Sequence, residues 1–255
     1  ALRGMCRDTL GDTTAALDDF EQAIRHDPKE AAPHAGRALI LRRQGKDDAA
    51  LAAFSRAVEL DANFDFAWYQ RAELRRARGE FNAAIKDYDR AIALAPRYAL
   101  AHNGRGLVRL SQGAYTDARE DFGKAQSFDN ALAFALFNRG RAYFYGERYS
   151  AAERDFADFA LLNPDYPYTR FWLRLARAQQ DKASPPQIGA SQDGDSWPGP
   201  LARLYEGHSN PEELLAKARA VEGAAARGAL CEAHFYLAHW LDLRGGGAKQ
   251  VKAHF

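Results

Sequence analysis

Residues 65–98 read DFAWYQRAELRRARGEFNAAIKDYDRAIALAPRY, and the same pattern returns through the first two thirds of the chain. Small and aromatic residues fall at Ala72, then at Ala84, Tyr88 and Ala91, steps of four and three that place them on one side of a helix. Gly79 stops the first helix and Pro96 follows the second, so the segment reads as helix, turn, helix. A shift of 34 residues in either direction keeps the register. It aligns Gly4, Ala38, Ala72, Gly106 and Gly140, then Ala16, Ala50, Ala84, Ala118 and Ala152. It also aligns Phe20, Phe54, Tyr88, Phe122 and Phe156, and Ala23, Ala57, Ala91 and Ala125, with Phe159 in the last copy. Pro28, Pro96 and Pro164 close the first, third and fifth copies, where Ala62 and Asn130 stand in the others.

Each position has a mechanical reason. The small residues of the two helices let them approach closely. The aromatic four residues after the second-helix Ala shares its face and fills the space between neighbouring repeats. Gly11, Gly45, Gly79 and Gly113 stand where the first helix must end, and Gly takes the left-handed cap at little cost. One such unit cannot bury its apolar face, so the array is stable only as a stack. The small residue, then A-x3-F, then P at a period of 34 resembles the tetratricopeptide-repeat family over residues 1–166. The resemblance implies an all-α, right-handed superhelical solenoid whose first helices line a concave, protein-binding side.

Two recurring charges depart from that family's pattern. Arg3, Arg37, Arg71, Arg105 and Arg139 precede the small residue, and Asp19, Asp87, Asp121 and Asp155 recur in the second helix, with Ala53 in the second copy. Charges repeating with the period of the fold predict architecture: arginine stems packed between helices, with guanidinium groups on the Asp carboxylates.

The strict period ends at Pro164. The apolar spacing predicts a helix over 168–181, a loop over 183–196 (ASPPQIGASQDGDS), and a short helix over 201–206. Ser209 is the expected cap of a further helix running to about Val221, with Pro211, Glu212 and Glu213 in its first turn. Residues 231–243 then read as the first helix of another repeat, with Ala238 at the small position, Gly245 to Gly247 as its end and Ala248 to Phe255 opening the next helix. The organisation expected is thus five repeats over 1–166, irregular helices over 167–230, and a truncated TPR-like repeat over 231–255. The segments Phe171-Trp172-Leu173, Trp197-Pro198-Gly199-Pro200 through Leu204-Tyr205-Glu206-Gly207, and Leu230-Cys231-Glu232-Ala233-His234-Phe235-Tyr236-Leu237-Ala238 resemble the tail of NlpI-like bacterial lipoproteins. That resemblance implies an exported, periplasmic or outer-membrane-associated adaptor. The first and last residues fall inside repeats, so the sequence reads as a piece of a longer chain, and any membrane attachment would come from an anchor preceding Ala1.

Composition narrows the partners. Lys plus Arg number 35 and Asp plus Glu 34, which gives no global drive towards nucleic acid or anionic membrane. Two cysteines, Cys6 and Cys231, make neither a disulfide framework nor a metal-site pattern. His34 and His102 share the register of Trp68, which marks them as packing residues, and His234 and His239 are five apart, off the spacing that would place both on one face. There is no H-E-x-x-H, no G-x-S-x-G and no phosphate-binding glycine loop, so neither a catalytic residue nor a cofactor is expected. Asp87-Tyr88-Asp89 reads as repeat architecture. The aromatics Phe134, Phe137, Tyr143, Phe144, Tyr145 and Tyr149 are divided between core packing and an exposed binding face.

By repeat register the groove-facing residues are Arg42, Arg43, Tyr69, Gln70, Glu73, Arg76, Asn103, Leu107, Phe137, Asn138 and Arg141. This mixed set suits an extended peptide or a partner helix held by polar fixing and aromatic anchors. The Lys/Asn set by which carboxylate-clamp members grip acidic C-termini is missing at the matching positions. The function expected is a protein–protein scaffold. The alternatives are a cytoplasmic co-chaperone or assembly factor, a homodimer built on uncapped solenoid ends, and a hydrolase with a site between solenoid and tail.

Overall fold

The computed structural model describes residues 2–180 and 197–244. All its regular structure is helical: α1 Leu2–Thr9, α2 Thr13–His26, α3 Ala31–Arg43, α4 Asp47–Leu60, α5 Asp65–Ala77, α6 Phe81–Leu94, α7 Ala99–Ser111, α8 Tyr115–Phe128, α9 Ala133–Tyr145, α10 Tyr149–Leu162, α11 Thr169–Gln180, α12 Gly199–Glu206, α13 Pro211–Arg219 and α14 Ala226–Leu243. The helices α3, α5, α7 and α9 each have 13 residues and begin 34 apart, and α2, α4, α6, α8 and α10 each have 14. The chain forms two compact units, Ala1–Ala135 and Leu136–Phe255.

In the first unit each helix packs on the next in order from α1 to α8. The core is built from the repeating positions: Ala16, Phe20, Ala38, Ala50, Phe54, Ala72, Ala84, Tyr88 and Phe122 are all almost fully buried. The aromatic of the second helix lies over the small residue of the first. A methyl added at Gly106 would sit 2.7 Å from the Phe122 ring, and Gly4 faces Phe20 in the same way. The same ring presses on the following repeat, because a methyl on Gly36 or Gly104 would strike Phe20 or Tyr88. Gly11, Gly45, Gly79 and Gly113 all have φ between 71° and 85°, the left-handed turn that ends each first helix.

The recurring charges pair as architecture. Arg3, Arg71, Arg105 and Arg139 each clamp the Asp sixteen residues later with two nitrogens, at 2.6–3.0 Å. Arg7, Arg75 and Arg109, one turn further on, add a third contact to Asp19, Asp87 and Asp121. The second copy lacks the Asp and the second Arg. Ala53 replaces the Asp and Leu41 replaces the second Arg, and both join an apolar cluster with Phe54 and Val58. Arg37 remains, and its Nε is buried without a hydrogen-bond partner.

The register shared by His34, Trp68 and His102 has a local cause. Each ring N–H donates to the carbonyl six residues earlier, at Pro28, Ala62 and Pro96, over 3.0–3.2 Å. These carbonyls lie in the turns between repeats, where no helix partner is available.

In the second unit Gly140 faces Phe156 as Gly106 faces Phe122. Beyond α10, α11 packs on α10 and α14, and α12 and α13 pack on α14. Two sequence expectations are corrected here. The cap of α13 is Asn210, whose Oδ1 accepts from the Glu213 amide at 3.0 Å, while Ser209 donates to the Glu213 carboxylate at 2.8 Å. The last helix begins at Ala226 instead of 231 and runs through Gly228, where an added Cβ would meet nothing within 4 Å. The expected loop over 183–196 and the residues 245–255 lie outside the described residues.

Candidate functional site

In the first unit the structure gathers five of the residues picked by register. Arg42, at the end of α3, donates to Gln70 of α5 over 2.7 Å and so links two adjacent first helices. One turn along α5, Glu73 accepts from Arg76 at 2.9 Å and from the Tyr88 hydroxyl. Tyr69 stacks obliquely on Tyr98, ring centres 5.0 Å apart, and stands 6.3 Å from Tyr88. Burial pushes the Tyr69 phenol up to about 12, Glu73 adds to the shift, and Arg42 and Arg76 oppose it, so all four groups share one neighbourhood. The phenol therefore stays a neutral donor at physiological pH. Gln70 is buried, and Arg42, Tyr69, Glu73 and Arg76 are half-buried. The arrangement offers phenol and guanidinium donors and one carboxylate around an aromatic floor.

The remaining residues lie elsewhere. Arg43 is exposed and pairs with Asp8. Asn103 and Leu107 are half-buried on α7. Phe137 and Asn138 are buried in the second unit, Phe137 within reach of Phe156, Phe159, Tyr166 and Trp172. Of the aromatic set divided between core and surface, Phe137 and Phe144 are buried and Phe134 is 46% exposed.

Register alone did not find Tyr88 or Tyr98. Tyr88 has the position that Phe takes in the other copies, and Glu73 the position of Met5, Leu39, Leu107 and Arg141. Both changes fall in the third copy, and the hydroxyl of one meets the carboxylate of the other. That coincidence is the signal in the sequence.

The second unit holds an aromatic cleft of about 300 Å³. Its walls include Tyr145, Tyr166, Trp172, Phe235 and Tyr236, with Arg141 and Glu232 as the charged groups. Glu232 Oε2 accepts from the Tyr168 hydroxyl at 2.7 Å and the Trp197 indole at 2.8 Å. Burial, then the bond to Glu232, keeps the Tyr168 phenol protonated well above its ordinary range. The residues carrying the lipoprotein resemblance meet in this region: Trp172 against Phe235, Phe171 against Tyr236, and Trp197 on Glu232. They are packing partners of one another.

Among the described residues no group of three or more His, Cys, Asp or Glu is placed to hold a metal ion, and no helix is long and apolar enough to cross a membrane.

Comparison with known proteins decides the family of the repeats. Residues 7–63 match one tetratricopeptide-repeat family model and residues 72–113 match a second TPR-repeat model. The chain carries tetratricopeptide repeats. It is similar to the solved structure of MamA, at 25% identity over 64% of this chain and 91% of that one, with a TM-score of 0.57. It shares its fold with a tetratricopeptide repeat protein from Parabacteroides merdae, at 18% identity over 99% of this chain and 94% of that one, TM-score 0.61. The third is YrrB, described as a TPR protein with an unusual peptide-binding site, at 18% identity over 65% and 86% of the chains, TM-score 0.58. No curated protein sequence matches the chain.

Proposed function

We propose that this tetratricopeptide-repeat protein is a protein-binding adaptor, and that the face formed by Arg42, Tyr69, Gln70, Glu73 and Arg76 holds an extended peptide or partner helix. The observation that carries the reading is the pre-organised polar set on α3 and α5. Arg42 and Gln70 fix each other, Glu73 is held by Arg76 and Tyr88, and Tyr69 is braced by Tyr98. Groups already ordered lose little freedom when a partner docks, and Tyr and Arg are the side chains that most often carry binding energy. YrrB, a TPR protein of the same fold with a peptide-binding site, supports this use of the scaffold.

Co-purification with the full-length protein and with a Tyr69→Ala, Arg76→Ala variant tests it. Partners lost from a variant that still melts as a folded protein support this face, and partners captured equally by both count against it. The tail resemblance supports an envelope location for the adaptor. Recovery of the full-length protein in the soluble cytosolic fraction would overturn that part alone.

A further inference from the structure

We propose that the aromatic cleft of the second unit is a second binding site, for an apolar or aryl group bearing one carboxylate, which salt-bridges to Arg141.

The cleft is large enough, at about 300 Å³, for a group on the scale of one aromatic side chain. Its walls are mostly ring faces and edges. Trp172 lies 5.4 Å from Phe235 and 5.8 Å from Tyr145, ring centre to ring centre. Phe235 in turn meets Tyr236 edge-on at 5.1 Å. Such walls select a flat or branched apolar body, with few polar groups to orient it.

The cleft carries one charge of each sign, and the two are differently engaged. Glu232 already accepts two hydrogen bonds from Tyr168 and Trp197, and so acts as a tie between α14, the start of α11 and the segment before α12. Arg141 is differently placed. Its guanidinium has Asn138 Oδ1 at 3.5 Å and the Trp172 ring centre at 5.7 Å, and its Nε is buried without a partner. Arg71, Arg105 and Arg139 show what the same side chain does elsewhere on the first helices, since each closes a two-nitrogen clamp on an Asp. Among the described residues lining the cleft Arg141 is the one cation, and none of their carboxylates clamps it in that way. A guanidinium in apolar surroundings gains most from a planar, bidentate anion, whereas a cationic ligand would face it as a like charge. The surrounding phenols are held protonated: burial raises Tyr166 and Tyr236 above their ordinary range, and the opposing pull of Arg141 does not reverse it. They add hydrogen-bond donors and no negative charge. This site is built from residues of the second unit and is tested separately from the α3–α5 face.

Cys231 lines the cleft and is exposed, and Cys6 is exposed in the other unit, so the chain carries its own probe and control. The full chain is titrated by calorimetry with 3-phenylpropionate, with 3-phenylpropionamide, and with N-acetyl-glycyl-phenylalanine as the free acid. Alkylation of the two thiols is followed in parallel by peptide mass spectrometry. The expected result is binding of 3-phenylpropionate, slower alkylation of Cys231 with Cys6 unchanged, and affinity for the amide weaker by about tenfold or more. Arg141→Met, which keeps the length of the stem, brings the acid down to the level of the amide. If the peptide acid binds as well, the natural source is a chain terminus; if 3-phenylpropionate alone binds, it is a free acid. Equal binding of acid and amide, unchanged alkylation of Cys231, or no binding of either acid overturns the proposal. Each of these is read on the unaltered chain, whatever the variant's stability.

Discussion

Asp121 shows how a repeating charge is made tolerable inside the protein. It is fully buried and takes two nitrogens of Arg105, one of Arg109 and the His102 ring at 3.4 Å. Burial pushes its carboxyl up, but the bonds from His102 and Arg105 and the charge of Arg109 outweigh this and hold it below its ordinary range. A depressed carboxyl contributes stability that is complete above the unfolded value of about 4 and is lost as pH falls below it. Asp121→Asn strands two arginines, so a loss of about 3 kcal/mol at neutral pH is expected. Thermal melts between pH 3 and 7 should also show a flatter acid limb for the variant. His239 works in the opposite direction of charge. Buried between Phe144 and Phe235, it is pushed down to about 4, with Asp242 opposing the shift. The folded protein therefore keeps it neutral while the unfolded chain takes up a proton below about 6.5, so stability falls between pH 6.5 and 4 and levels off beneath. The shift corresponds to about 3 kcal/mol. His239→Met should remove that slope, as read by Trp fluorescence melts; an unchanged slope would show that another group titrates there.

At the scale of elements, the turn after each first helix needs one left-handed residue. Four copies use Gly, and the fifth uses Glu147 at φ 58°. A side chain there costs about 1 kcal/mol, partly offset by the extra freedom Gly brings to the unfolded chain. Glu147→Gly should thus stabilise the protein by about 0.5–1 kcal/mol in chemical denaturation, and a loss of stability would mean the carboxylate has a compensating role. Asn210→Ala, which removes the α13 cap, should cost about 1 kcal/mol. The contrast between the two halves explains what was legible. From α2 to α10 Gly, Pro and Asp recur at turn positions, with Glu147 in place of Gly in the fifth copy, so spacing shows the helix–turn–helix unit. In the tail no second copy exists to compare. Ser209 and Asn210 are both good caps, and only the fold shows that Asn210 reaches the Glu213 amide. The last helix runs through Gly228, from Ala226 to Leu243, and so starts before the residue 231 that the apolar pattern indicates. The Arg42–Gln70 link was half visible, since register places both on first helices, but the Tyr88 hydroxyl reaches its partner only through packing of α6 on α5. Of the Arg141 cleft, register picks only Phe137 and Arg141; the other walls come from segments up to 99 residues apart, Phe137 to Tyr236, with no shared period.

For the molecule as a whole, positive and negative charges nearly balance, and among the described residues no cluster is placed to hold a metal ion. The α3–α5 face is specified by departures from the repeat: Gln70 where two other copies have Gly36 and Gly104, Glu73 among apolar residues and an Arg, and Tyr88 among Phe. The proposed binding role of that face rests on these exceptions falling together in one copy. Site-specific photocrosslinking in cells tests that claim most directly, with the photoreactive residue placed at Tyr69 or, as control, at the exposed Arg56 of α4. The account predicts that a partner protein is captured from position 69 and not from position 56. Capture from 56 with none from 69 would contradict it.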